Sequence, residues 1–201
     1  MKKKISVLNK NSNQTKLYFI LIGLALLSFI LGILFIFIID KNSLSYIKDH
    51  LSLYFDNIPL NINTFFKTLF NNFIYIIIIW VLGISLIGLP IVILMFAFKS
   101  FIFGFSISSI MYSFGFKGIL ISLINVIINK FAYIVVLLLI TRYSISFSIK
   151  LFKHLFLRKP INFRETMNKY LKVLIISLVI SLFISIYESF ISNYLLNFFN
   201  L

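Results

Sequence analysis

The chain contains no cysteine, which removes both a disulfide framework and a thiolate metal site. Five carboxylates and two histidines are scattered along 201 residues. That leaves little for a catalytic or metal-ligating constellation. No phosphate-binding glycine loop, HExxH pair, nucleophile–base set or internal repeat is found. Charge as a whole is scarce: 12% of residues are charged, where a soluble domain has about 25%. Against this, 61% of residues are hydrophobic and mean hydropathy is +1.06. A chain of this length has too little interior to hide so much apolar surface in a soluble fold. Disorder requires the opposite composition. Lipid is the solvent expected for most of the sequence.

The charge that is present is mostly of one sign, 19 basic residues against 5 acidic, for a net +14. A nucleic-acid binder gathers its basic residues on one face of a folded domain. Here they stand between long apolar runs, the pattern of membrane topology determinants, so no nucleic-acid partner is expected.

A transmembrane helix needs about 20 predominantly apolar residues. Residues 17–39 form an uncharged run preceded by Lys2, Lys3, Lys4, Lys10 and Lys16. It is longer than the apolar core of a signal peptide and lacks a small-residue cleavage site, so it reads as a retained helix. Further runs cover 73–98, 100–116, 118–141 and 173–199. The expected fold is all-α: a polytopic membrane bundle of five transmembrane helices, with short amphipathic helices at the interface. Residues 1–16 form a basic N-terminus, and 17–201 a single integral-membrane domain. The turn between the second and third spans has two placements, at Gly88-Leu89-Pro90 or at Lys99-Ser100. Both give the same topology.

With the N-terminus inside the cell, 14 positive residues fall on the cytoplasmic side and 4 outside. The positive-inside rule therefore predicts a multi-pass cell-membrane protein with a cytoplasmic N-terminus and an extracytoplasmic C-terminus. The external loop then carries two helical stripes. Leu44, Ile47, Leu51, Tyr54 and Phe55 form the first, with Lys48, Asp49, Ser52 and Asp56 opposite. Ile62, Phe65, Phe66, Leu69, Phe70 and Phe73 form the second, after Pro59. Both are expected to be short helices on the outer leaflet, resting on lipid or docking a partner through Lys48, Asp49 and Tyr54. The basic stretch 142–172 is expected to extend the fourth span and then lie along the inner leaflet. Trp80 sits well inside its run, which favours packing over interface anchoring.

Polar residues inside the spans mark helix contacts. Ser177, Ser181, Ser185 and Ser189 recur every four residues and continue to Asn193. Small residues on one stripe let helices approach closely. Glu188 shares that face, so it is expected to point at protein. In the fourth span Ser122, Asn125, Asn129 and Tyr133 form a matching stripe, with Lys130 beside them. Lys130 and Glu188 lie at similar depth, which allows an ion pair between the last two spans. The other arrangement is a protonated Glu188 with Lys130 snorkelling separately. Metal, cofactor and catalytic residues are expected to be absent.

The stretch from Trp80 through Val81-Leu82-Gly83-Ile84-Ser85-Leu86-Ile87-Gly88-Leu89 to Pro90 resembles the second-span signature of the stage II sporulation protein M family. Lys99-Ser100 through Phe103-Gly104-Phe105 is similar to its continuation. So are Lys117-Gly118 with Leu120-Ile121-Ser122, and Glu188 with the Ser-Phe-Ile-Ser that follows. The family often breaks its fourth span with Leu-Pro and polar residues. This chain has Ile127-Ile128-Asn129-Lys130 there, so Lys130 is a feature of its own. The resemblance implies a scaffold in the mother-cell membrane of an endospore former, recruiting two peptidoglycan-degrading partners, stage II sporulation proteins D and P, during engulfment. On this reading the protein is not an enzyme. The other reading, suggested by the polar residues inside the spans, is a transporter or permease subunit. Membrane lipid is a partner on either, and homo-oligomerisation is compatible with both.

Overall fold

The computed structural model describes the backbone of residues 2–56, 62–156, 158, 160, 162–192 and 194, and their side chains except those of 2–14, 54–56 and 125. Six α-helices follow in order: α1 Lys2–Phe35, α2 Lys41–Asp56, α3 Ile62–Leu82, α4 Gly88–Ile121, α5 Ile128–Leu155 and α6 Phe163–Ile186. Two π-helical segments, Ser122–Ile127 and Tyr187–Ile191, precede α5 and extend α6. Among the described residues there is no strand. Five stretches are long and apolar enough to cross a membrane: Thr15–Phe35, Ile62–Leu82, Gly88–Ile124, Ile128–Leu155 and Phe163–Ile191.

Gly115 divides the long α4. Its φ of 58° with ψ of −129° lies outside the helical region, where a glycine is tolerated and a β-carbon is not. The chain doubles back there. Residues 110 and 118 would stand about 12 Å apart along a straight helix, yet a β-carbon on Gly118 would sit 2.6 Å from the Ile110 carbonyl oxygen. The third span thus ends at Gly115, and the fourth runs on through the π-helical segment into α5.

The helices divide the chain differently from its uncharged runs. The 73–98 run is broken at 83–87, between α3 and α4, so the turn lies at the Gly88-Pro90 placement and Lys99 falls within α4. Glycine and proline outweigh a lone lysine as turn formers, and a lysine inside a span is tolerated where protein surrounds it. The second external stripe is no interfacial helix. It is the first half of α3, which runs unbroken from Ile62 and therefore extends the second span eleven residues before 73. The last span starts at Phe163, ten residues before 173, where Asn162 caps it by accepting from the Glu165 amide at 3.2 Å. The basic 142–172 stretch accordingly extends the fourth span to Leu155, as expected, and from Phe163 belongs to the start of α6. Charge misplaces these ends: three basic residues, Arg164, Lys169 and Lys172, ride on the first turns of α6.

The first external stripe does form a helix, α2. Asp40 precedes it and accepts from the Ser43 amide at 3.3 Å. Hydrogen bonds from Ser43 hold the Asp40 carboxyl below its ordinary range. This cap is at full strength above the ordinary carboxylate pKa and is lost as pH falls through the lowered one. Leu44 is buried, and Leu51 packs on a cluster of Phe103, Ile110, Ile121, Ile124 and Val126. Through Leu44 and Leu51 the apolar face of α2 thus seats on its own bundle. Lys48 and Asp49 face outward.

The main core joins Leu21 of α1, Ile76 and Ile79 of α3, Val92 and Phe96 of α4, Val136, Leu137 and Ile140 of α5, and Ile184 of α6. Trp80 packs, stacked at 5.4 Å on Tyr170. The outward face is apolar as well: Phe19, Leu94 and Phe183 are each at least 65% exposed. In water this would be an aggregation liability; in lipid it is the expected surface. Helices α1 and α4 approach closest where two glycines meet. A β-carbon on Gly32 would run into the Phe101 carbonyl, and one on Gly104 into that of Phe29.

Candidate functional site

The serine stripe of the last span is buried. Ser177, Ser181, Ser185, Ser189 and Ser192 are each at most 2% exposed. They let α6 approach α3 and α5 closely, as small residues do in membranes. Ser185 donates to the Ser181 carbonyl at 3.0 Å, and Asn72 of α3 donates to Ser185 Oγ at 3.2 Å. Tyr133 of α5 in turn donates to the Asn72 carbonyl at 3.1 Å. One polar chain therefore links three spans in the bundle interior, where each satisfied group avoids a desolvation cost of several kcal/mol.

Beside it lies the charged cluster. Lys130 Nζ is 3.1 Å from Glu188 Oε1, with the two side chains 39% and 22% exposed. Of the two arrangements left open by the sequence, the geometry is that of the pair. Glu188 faces protein and is not turned out to lipid. Lys99 of α4 lies within electrostatic reach of both groups. Its ammonium sits 4.4 Å over the Tyr75 ring, and the Tyr75 hydroxyl donates to the Met95 carbonyl at 2.5 Å. A cation over an aromatic face is attracted by the ring quadrupole. The cluster holds two lysines and one carboxylate, so it carries one excess positive charge.

Both charged partners sit at π-helical segments. Glu188 lies within Tyr187–Ile191, and Lys130 follows Ser122–Ile127 by three residues. An extra residue in the turn rotates the side chains after it. The first segment falls just where the sequence departs from the proline-broken pattern. Asn129 is buried beside Lys130. The side chains of Asn125 and Tyr54, and Asn193 altogether, lie outside the described residues. Lys99 was not foreseen as a member of the cluster. Its signal was present, a lone lysine in an apolar stretch flanked by a Gly-Leu-Pro turn. The π segments have no sequence signal. Among the described residues, no three His, Cys, Asp or Glu side chains come together as a metal site would require.

The model of the family described as stage II sporulation protein M matches residues 16–193. The chain belongs to the stage II sporulation protein M family. The match takes in all five spans, α2, and every residue of the charged cluster. It makes this a sporulation-related, multi-pass membrane protein. No curated protein matches the chain, and no solved structure does.

Proposed function

We propose that this protein is a non-enzymatic membrane scaffold for endospore engulfment, recruiting peptidoglycan-degrading partners of the stage II sporulation protein D and P type to the septum. Membership of the sporulation family over residues 16–193 carries this reading. The architecture is compatible with it. The charged groups inside the bundle are engaged with one another, and the polar face of α2 projects from one end. The N-terminus is cytoplasmic and the C-terminus extracytoplasmic. Among the described residues, twelve basic residues lie at one end of the bundle and Lys41, Lys48, Lys67 and Lys117 at the other, and the richer end is retained inside.

Single cysteines report this orientation directly, because the native chain has none. A cysteine replacing the exposed Lys48 should react with an impermeant thiol reagent in intact cells, and one replacing His154 only after lysis. The reverse pattern would reverse the topology. Recruitment is placed at the polar face of α2, so Lys48→Glu with Asp49→Lys should reduce partner capture severalfold while leaving membrane accumulation unchanged. Undiminished capture would move docking elsewhere. The purified protein should release no fragments from peptidoglycan, and its loss should arrest engulfment. Turnover abolished by Glu188→Gln would make it an enzyme instead.

A second reading, a transporter subunit, draws on the excess positive charge among α3–α6 and the paired π segments. It requires ligand-dependent flux in liposomes, which a scaffold does not show.

A further inference from the structure

A cavity of about 320 Å³ opens between α5 and α6 at the end of the bundle bearing the 156–162 connection. Arg142, Lys150 and Lys169 line it, with the hydroxyls of Ser146 and Thr166. Its floor is rigid. The Tyr170 ring stacks on Phe147 at 4.4 Å and on Trp80 at 5.4 Å. The Tyr170 hydroxyl donates to the Trp80 carbonyl at 2.7 Å and meets Ser144 Oγ at 2.8 Å. Glu165 pairs with Lys169 at 2.5 Å in an exposed pair one helical turn long. Such pairs are weak in water and readily exchange partners.

The depth of the cavity is fixed by Arg142. Its guanidinium lies over the ring of Tyr18 at 4.1 Å and over that of Tyr143 at 4.9 Å. Tyr18 stands at the start of the apolar run of α1, two residues after Lys16, so this level is the membrane–water interface, where tyrosines collect. Stacking engages the faces of the guanidinium, whereas phosphate recognition uses the N–H groups at its edge. Exposed Ile149, Leu155, Phe163 and Leu171 stand on the same two helix ends. Acyl chains would lie against them.

We propose that this cavity binds the phosphate of an anionic phospholipid headgroup, held by Arg142 and Lys150 with Thr166 and Ser146 donating. Three cations and two hydroxyls converging at headgroup level fit a phosphodiester anion, and the apolar side chains around them favour a lipid over a free anion. A ligand that binds only the folded protein raises its melting temperature.

The test is thermal melting of the full chain in a neutral detergent, with phosphatidylglycerol, phosphatidylcholine or glycerol phosphate added. Phosphatidylglycerol should raise the melting temperature by about 5 °C over phosphatidylcholine. Lys150→Gln should abolish most of that difference, and Arg142→Gln should do so as well if it folds. Lys153→Gln, an exposed charge that does not line the cavity, should leave it intact. Equal loss in Lys153→Gln would reduce the effect to general surface charge and overturn the site. So would equal stabilisation by the two lipids. Full stabilisation by glycerol phosphate without lipid would overturn the lipid assignment and leave a free phosphate as the ligand.

Discussion

Gly104→Leu should lower the melting temperature of the detergent-solubilised protein by about 10 °C, and Gly32→Leu by a similar amount. At both positions a β-carbon would strike backbone of the facing helix, at Phe101 or Phe29. Backbone cannot move aside as a flexible side chain can. Overpacking costs about 1–3 kcal/mol where side chains can yield, so the upper end or more is expected here. The α1–α4 crossing would have to open, and its aromatic contacts would open with it: Phe29 on Phe103 at 5.0 Å and Phe35 on Phe101 at 5.5 Å. Gly23 of the same helix is the control, because a β-carbon there meets nothing within 4 Å. Gly23→Ala should hold or slightly raise the melting temperature, since alanine is the better helix former by about 1 kcal/mol. The double variant Gly32→Leu with Gly104→Leu should lose less than the sum, because both open the same crossing. Equal loss at Gly23 and Gly104 would mean that the crossing does not set the effect.

Glu188→Gln should destabilise the protein more than Lys130→Met does. Breaking a buried ion pair from one side costs about 3–5 kcal/mol. The partial exposure of these side chains, 39% and 22%, places the expectation toward about 2–3 kcal/mol. The asymmetry comes from Lys99. Without Glu188, two lysines remain near one another with no carboxylate between them. Without Lys130, Glu188 still has Lys99 in reach. Lys99→Met should therefore restore part of what Glu188→Gln loses, and Lys130→Met should do so too. Chemical denaturation in mixed micelles of all four combinations gives the coupling energy. Strict additivity would show that the 3.1 Å approach contributes no energy.

The features that were legible in the sequence have a periodic or compositional cause. Five spans, an all-helical bundle and a buried serine face follow from hydropathy and a four-residue repeat, because lipid admits only helices or closed barrels. The proximity of Lys130 and Glu188 could be argued from depth along two helices. Span ends were another matter. Charges suggest boundaries, yet Lys67, Lys99, Arg164, Lys169 and Lys172 all lie inside helices. A lysine stem is long enough to carry its ammonium to a partner or to the interface, so its Cα does not mark the bilayer edge. The fate of α2 was equally hidden. Its amphipathic pattern shows that one face is covered, but the residues covering it, Phe103, Ile110 and Ile121, lie some fifty or more positions away. The π-helical segments leave no signal, since a single inserted residue changes neither composition nor overall period.

The proposed scaffold stands most directly on what accompanies the protein in the membrane of sporulating cells. Detergent extracts should be passed over the tagged full-length chain, and the captured proteins assayed for peptidoglycan cleavage. The account predicts wall-degrading activity captured with the native chain and reduced severalfold with Lys48→Glu, Asp49→Lys. The purified chain alone should have no such activity. Capture of no wall-degrading activity, together with ligand-dependent flux through the purified protein in liposomes, would contradict it.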